Sequence, residues 1–192
     1  MNKIKQIAIL FSGNGTNFQN IINKLHNKNI DGITIKITIA ISNKSDALGI
    51  NIAKENNIPL EIIEHTSFNS REEYDTKLLD TLNQYNLDLV VLSGFMRILT
   101  PIFTDNIKAI NIHPSLLPLY KGAKAIQKSF EGDEILAGVS VHHVTSQLDG
   151  GDIILQQSFE KSQYPNIELF ESKIKEIEYD IYPKAIIKVL ND

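Results

Sequence analysis

The feature that most constrains the fold is an alternation between short apolar runs and segments with helical spacing. Residues 4–11 and 33–41 are rich in Ile and predict buried strands, and helical patterns follow both of them. Residues 87–92 and 108–112 predict two further buried strands. Such an alternation predicts an α/β fold in which helices cover both faces of a mostly parallel sheet.

The remaining segments complete this pattern. Further helices are predicted at about residues 47–56, 71–85, 123–130 and 167–190. Further strands are predicted at residues 60–63, 137–144 and 152–156. The last two strands are close in sequence, so we expect an antiparallel edge. Ser70 is the expected N-cap of its helix, and Pro183 is expected to kink or divide the last one. We expect one domain over residues 1–192.

Composition excludes several classes of protein. The chain has 19 basic and 23 acidic side chains, a balance that argues against a nucleic-acid partner. It has no Cys, which excludes disulfides, thiolate metal sites and a Cys nucleophile. Without an 18-residue apolar run or a cleavage site, we expect a soluble cytoplasmic protein with no membrane partner.

A glycine-rich segment follows the first strand. This glycine loop, residues 12–17, has the sequence Ser-Gly-Asn-Gly-Thr-Asn and opens a helix, where free N–H groups and the helix dipole suit a phosphate. Phe18 stands where a dinucleotide fingerprint needs its third glycine, and a Walker lysine is absent. The segment therefore favours one phosphate on a small substrate, or else an ordinary strand–helix turn.

An apolar segment with a single arginine follows the strand at residues 87–92. This arginine loop, residues 93–99, has the sequence Ser-Gly-Phe-Met-Arg-Ile-Leu and is typical of a pocket for a flat, partly polar ligand. Alternatively, Arg97 pairs with a structural carboxylate. Arg71 and Arg97 are the two arginines of the chain, against 17 lysines.

The strongest motif is Asn-Ile-His-Pro at residues 111–114. Residues i and i+2 of a strand share a face, so Asn111 and His113 point together, and Pro114 ends the strand after them. An amide donor beside an imidazole suits a developing oxyanion, and the imidazole can also move a proton.

Asp149 is the candidate third partner. It lies in the sequence Leu-Asp-Gly-Gly at residues 148–151, and a carboxylate beside His113 would stabilise the imidazolium. The alternative is that Asp149 and Gly150 only form a turn. His142 and His143 face opposite ways on one strand and make a poor chelate, and His26 and His65 are interpreted as surface residues. We expect no metal site.

Together these segments resemble the phosphoribosylglycinamide formyltransferases, a folate-dependent family of purine synthesis. The glycine loop is similar to the family's phosphate loop, and the arginine loop to its folate loop. Residues 111–118 are similar to the core formyltransferase motif, and Asp149 to the family aspartate. The resemblance extends in order over nearly the whole chain and implies a Rossmann-like, three-layer formyltransferase fold.

The resemblance implies a role for each matching position. The implied catalytic residues are Asn111, His113 and Asp149. The implied phosphate ligands are Gly15, Thr16 and Asn17, with Glu178 and Lys175 as further contacts to the ribosylglycinamide substrate. The implied folate contacts are Arg71, Met96, Arg97, Ile98, Leu99 and Asn111.

The resemblance also implies the reaction. The chain would transfer the formyl group of 10-formyltetrahydrofolate, a co-substrate, to the amine of 5-phosphoribosylglycinamide, with no metal. The implied partners are small-molecule substrates, and the chain is expected to be a monomer or weak homodimer. Lys124 replaces a common family histidine, His143 an aromatic residue and Ser146 an acid, which puts details of the substrate loops in doubt.

Three other functions are compatible with parts of the pattern. A formyltetrahydrofolate deformylase shares the catalytic trio, but it uses water as acceptor and has no need of the glycine loop. A methionyl-tRNA formyltransferase is expected to show a basic patch. A non-catalytic binding module requires His113 and Asp149 to lie apart.

Overall fold

The computed structural model describes residues 3–192, and one mixed sheet organises this part of the chain. The strands are β1 (Lys3–Phe11), β2 (Lys28–Ile30), β3 (Ile33–Ser42), β4 (Leu60–Ile62), β5 (Leu89–Leu92), β6 (Ala109–His113), β7 (Leu136–His143) and β8 (Ile153–Glu160). The helices are α1 (Thr16–Leu25), α2 (Gly49–Glu55), α3 (Arg71–Leu82), α4 (Pro101–Thr104), α5 (Ala125–Glu131) and α6 (Ile167–Asn191). The predicted α/β class is confirmed.

The strand order is β2-β3-β1-β5-β6-β7-β8, and β4 also pairs with β3. The pairings among β1, β3, β4, β5 and β6 are parallel. β7 and β8 pair in antiparallel fashion beyond β6, which confirms the predicted antiparallel edge. A short antiparallel strand at the other edge, β2, was not predicted. Its three residues carry no alternating pattern that would distinguish them from a loop.

Two apolar layers, one on each face of the sheet, hold the fold together. Alternate residues of β1 supply both layers: Ile7 and Ile9 pack on one face, and Ala8 and Leu10 on the other. The first layer includes the apolar faces of α1 and α6, and the second includes those of α3 and α4. The predicted three-layer arrangement follows from this packing.

Helix boundaries follow the local signals, with one exception. The Ser70 hydroxyl accepts the Glu73 N–H at 3.1 Å, so its predicted role as N-cap is confirmed. Pro183 does not divide α6, which runs without a break for 25 residues. Tyr182, Pro183 and Ala185 are all buried in the core, and this packing outweighs the hydrogen bond that a proline removes.

Candidate active site

The candidate site lies along the carboxyl edge of the parallel strands. β1, β5 and β6 are neighbours in the sheet and run in the same direction, so the segments that follow them meet at this edge. Ligands of open α/β sheets bind in this position. The glycine loop follows β1, the arginine loop follows β5, and the Asn-x-His motif ends β6.

Asn111 and His113 lie on β6 with the orientation that the strand period predicts. Ile110 and Ile112 pack into the apolar layer that contains α1 and α6, so the two polar side chains occupy the opposite face. His113 is the last residue of the strand and is buried, with 6% of its surface exposed. A buried imidazole beside a primary amide can donate two hydrogen bonds to one oxygen atom of a substrate.

Both ring nitrogens of His113 face acceptors. Nε2 lies 2.9 Å from the carbonyl oxygen of Tyr120, and Nδ1 lies 3.4 Å from Oδ2 of Asp149. A carbonyl oxygen only accepts hydrogen bonds, so Nε2 carries a proton. A proton on Nδ1 as well would let the ring donate on both sides, and Asp149 would balance its charge.

Asp149 reaches His113 from a tight turn, in which it adopts a left-handed conformation with φ of 46°. Its carboxylate also accepts the Gly122 N–H at 2.8 Å. Burial on its own would raise the pKa of Asp149, but hydrogen bonds from His142 and Gly122 and the charge of His113 hold it below its ordinary value. Asp149 therefore forms the turn and also faces the imidazole. The two interpretations of this residue, as a turn residue and as a partner of His113, are compatible.

His142 is part of the same cluster, although no local sequence pattern indicates this. Its Nε2 lies 3.5 Å from Oδ1 of Asp149 and 3.3 Å from Nδ2 of Asn111. Its Nδ1 donates to the carbonyl oxygen of His143 at 2.8 Å, and its Nε2 lies between the Asp149 carboxylate and the Asn111 amide. The interpretation of His142 from its place on the strand missed this contact with Asn111. The signal lies in the pairing of β6 with β7, which places His142 directly opposite Asn111.

The glycine loop has the backbone geometry of a compact strand–helix turn. Gly15 is the N-cap of α1, with φ of 72°, and a Cβ there would lie 2.8 Å from the Cα of Gly49. Gly15 offers no side chain to cap the helix, so the first N–H groups of α1 are available to an anion. Thr16 and Asn17 form the first turn beside it.

Glu178 and Lys175 on α6 flank this loop. Oε2 of Glu178 accepts from Nδ2 of Asn17 at 3.1 Å, which joins the first turn of α1 to α6. Burial raises the pKa of Glu178 to about 7, against smaller opposing effects of the Asn17 hydrogen bond and the Lys175 charge. Asn17, Glu178 and Lys175, which the sequence analysis assigned to the ribosylglycinamide substrate, therefore lie near one another at the carboxyl edge.

The raised pKa of Glu178 predicts a pH-dependent stability. An acid with a folded pKa near 7 and an ordinary value of 4.5 loses stability as the pH rises through this interval, because the folded chain then retains a proton that the unfolded chain has released. We expect Glu178→Gln to raise the Tm at pH 8 by about 3–6 °C and to change it little at pH 4.5. Glu171→Gln, on the exposed face of the same helix, is the control for thermal melts at both pH values. An equal gain at both pH values would contradict the assignment.

The arginine loop is anchored at its far end by α3. The guanidinium of Arg97 lies 5.3 Å from the ring centroid of Tyr74, a cation–π contact, and Oδ2 of Asp75 accepts the Thr100 N–H at 2.6 Å. Burial raises the pKa of Asp75, although the Thr100 hydrogen bond and the Arg97 charge act in the opposite direction. Arg97 therefore packs mainly on Tyr74, with Asp75 as a nearby charge.

The middle of the arginine loop presents apolar side chains to solvent. Met96 is 77% exposed and Ile98 is 47% exposed, whereas Leu99 is buried beneath them. Arg71 is exposed on the first turn of α3, about one helical turn before Tyr74 and Asp75, the residues that anchor this loop. An apolar surface beside one cation and the Asn111 amide fits a flat heterocycle with a charged substituent.

Tyr182 ties α6 to the ends of two strands at this edge. Its buried hydroxyl donates to the carbonyl oxygen of Leu92 at 2.5 Å and lies 3.3 Å from that of Ile110. Leu92 directly precedes the arginine loop, and Ile110 directly precedes Asn111. The helix that carries Glu178 is therefore fixed against the strands that carry the other candidate residues.

Residues 3–192 lack two further features, a candidate metal-binding cluster and a membrane-spanning helix. This part of the chain contains no group of three or more His, Cys, Asp or Glu side chains placed to hold a metal ion. Nor does any helix within it combine the length and apolar character that a membrane crossing needs.

The fold and the site define a Rossmann-like α/β enzyme in which an amide–imidazole–carboxylate cluster and a helix start without a side-chain cap lie at the same edge of the sheet. The family model described as Formyl transferase matches residues 5–186. The chain belongs to the formyl transferase family, as the resemblance of its motifs predicted.

Individual relatives agree with this assignment. The chain is 42% identical over 185 residues to a phosphoribosylglycinamide formyltransferase of Haemophilus influenzae, a match that covers 95% of this chain and 86% of that protein. It is 38% identical to the enzyme of the same name from Escherichia coli, over 94% of this chain and 84% of the relative. The crystal structure of phosphoribosylglycinamide formyltransferase from Campylobacter jejuni superposes with a TM-score of 0.95 at 50% identity, over 98% of this chain and 99% of that one.

Proposed function

We propose that the protein transfers the formyl group of 10-formyltetrahydrofolate to the amine of 5-phosphoribosylglycinamide and releases tetrahydrofolate. The observation that carries this proposal is the contact of Asp149 with His113, beside Asn111 and next to the glycine loop. The relatives that share most of the chain are named for this reaction. The enzyme is therefore placed in purine biosynthesis.

The formyl donor is assigned to the arginine loop. Met96 and Ile98 provide exposed apolar surface for a pterin ring, and backbone groups of residues 96–99 can meet its polar edge. Arg97 supports this loop by packing on Tyr74. Asn111 then lies between the bound ring and the reacting carbonyl, and Arg71 is available to the acidic tail of the folate.

The ribonucleotide is assigned to the glycine loop and α6. Backbone N–H groups of Gly15, Thr16 and Asn17 hold its phosphate at the start of α1, and Lys175 adds a positive charge. Glu178 faces the glycinamide part of the substrate. Its position next to Asn17 places phosphate and amine recognition on one connected unit.

In the reaction a bond forms between the substrate amine and the formyl carbon, and the bond from that carbon to N10 breaks. Asn111 and protonated His113 donate to the oxyanion that forms between these events. At Nε2 of His113 the oxyanion takes the place of the Tyr120 carbonyl. Asp149, ionised at neutral pH, keeps the imidazolium charged and oriented. The amine loses one proton and N10 gains one, through His113 or an ordered water.

A product assay tests the proposal and separates it from hydrolysis. Purified protein is mixed with 10-formyltetrahydrofolate, with and without glycinamide ribonucleotide, and tetrahydrofolate release is followed with time. We expect release only in the presence of the ribonucleotide, together with one equivalent of N-formyl product. Equal release without the ribonucleotide would identify a formyltetrahydrofolate deformylase instead.

The assignment of Arg71 to the folate tail gives a separable kinetic prediction. We expect Arg71→Ala to raise the KM for 10-formyltetrahydrofolate by about 5–10-fold, the value of one partly exposed ionic contact. The kcat and the KM for the ribonucleotide should remain close to those of the wild type. Lys77→Ala removes an exposed cation from the same helix and is the matched control. An unchanged folate KM in Arg71→Ala would remove this residue from the site.

A further inference from the structure

Ser12 lies where the two substrate loops meet. It is the residue after β1, begins the glycine loop, and has 4% of its surface exposed. Its N–H donates to the carbonyl oxygen of Gly94 at 3.1 Å, and its Oγ accepts the N–H of Met96 at 2.7 Å. One buried serine therefore holds both sides of the bend at the start of the arginine loop.

Asn43 fixes the direction of the Ser12 hydroxyl. This side chain follows β3, is buried, and accepts from Oγ of Ser12 at 2.5 Å. With its proton committed to Asn43, the hydroxyl presents a lone pair to Met96. The backbone carbonyl of Asn43 in turn lies 2.9 Å from Nδ1 of His65, which holds Asn43 in place. The result is a chain of buried hydrogen bonds across β3, β1 and β5 beneath the site.

Parts of both loops project toward solvent. Met96 is 77% exposed, and Gly13 and Asn14 are exposed at the tip of the glycine loop. Gly94, whose carbonyl oxygen accepts the Ser12 N–H, adopts a left-handed conformation with φ of 72°. Ser12 therefore joins the glycine loop to the arginine loop through two hydrogen bonds.

We propose that Ser12 is a positioning residue that couples the binding of the two substrates. This inference rests on the proposed function, which assigns a phosphate to the glycine loop and a folate to the arginine loop. A ligand that orders one loop lowers the conformational cost of ordering the other, so each substrate tightens the binding of its partner by the same factor. Ser12 itself contacts neither substrate.

The test measures this factor directly in a complex that cannot react. Isothermal titration calorimetry gives the Kd of tetrahydrofolate with and without saturating glycinamide ribonucleotide. In the wild type we expect the ribonucleotide to tighten binding by about fivefold or more. In Ser12→Ala we expect the ratio of the Kd without the ribonucleotide to the Kd with it to fall to within about twofold of one. If Ser12 affected only stability, Ser12→Ala would weaken tetrahydrofolate binding equally with and without the ribonucleotide. The ratio of the two Kd values would then equal that of the wild type.

Ser42→Ala is the matched control. Ser42 is a buried serine opposite Phe11 at the end of β3, and its Oγ makes two hydrogen bonds to the backbone of Lys44. Its replacement removes two side-chain hydrogen bonds, as Ser12→Ala does, but touches neither substrate loop, so the ratio should equal that of the wild type. Asn43→Ala removes the acceptor of the Ser12 hydroxyl, together with the 3.2 Å contact between Nδ2 of Asn43 and Nδ1 of His65. It should give an intermediate ratio and serves if Ser12→Ala does not fold.

The outcomes of this experiment distinguish the coupling role of Ser12 from the proposed function on which it rests. A wild-type ratio of one, or an unchanged ratio in both Ser12→Ala and Asn43→Ala, overturns the coupling role while ribonucleotide-dependent formyl transfer persists. A wild type that binds no ribonucleotide overturns the proposed function, and the inference with it.

Discussion

Replacement of His113 by alanine is expected to lower kcat by about 10³–10⁴-fold, because it removes an oxyanion donor and a proton-transfer group together. The KM values for both substrates should change much less, since neither substrate is assigned mainly to the imidazole. Single-turnover measurement of formyl transfer, at saturating concentrations of both substrates, isolates this chemical step.

His26→Ala is the control for this variant. His26 accepts the Ile37 N–H at 3.0 Å beyond the carboxyl end of α1, on the far side of the sheet from the candidate site. We expect it to retain wild-type kcat even if its Tm falls. A His113→Ala variant within tenfold of wild type in single-turnover rate would remove His113 from the chemistry.

Replacement of Asp149 by asparagine is expected to lower kcat by about 10³-fold while the fold is retained. The amide can still accept the Gly122 N–H, but it carries no charge to stabilise the imidazolium of His113. Asp80→Asn removes a carboxylate from an exposed position of α3 and should leave kcat unchanged.

Asp149→Asn is also expected to change the pH dependence of the free energy of unfolding in a defined direction. The folded pKa of Asp149 is lowered, so its ionised form stabilises the wild type above the ordinary value of 3.8, and this contribution is lost as the pH falls through the folded pKa. Urea unfolding should therefore show a larger difference between wild type and Asp149→Asn at pH 5 than below pH 3.8. A difference that grows as the pH falls from 5 to below 3.8 would contradict the lowered pKa.

Asn111 and His113 were predictable because their geometry depends only on the strand period and on Pro114. The segment 110–114 contains all the information needed to place both side chains on one face at the end of β6. The α/β class was predictable for a similar reason, since each strand and helix carries its own periodicity.

His142 was not predictable, because its role depends on the register between two strands. Only the pairing of β6 with β7 places it opposite Asn111, and no local pattern in either strand specifies that pairing. The proposed role of Ser12 was not predictable for the same reason. Its partners Asn43, Gly94 and Met96 lie far from it in sequence and meet it through the order of the strands.

The hydrogen bond between Asn17 and Glu178 has a consequence for how the enzyme acquires activity. It closes a loop of 161 residues, between the first helix and the last. The two residues meet only because α1 and α6 pack on the same face of the sheet. The ribonucleotide side of the site therefore depends on the folding of the whole chain between these two helices, and not on either helix alone.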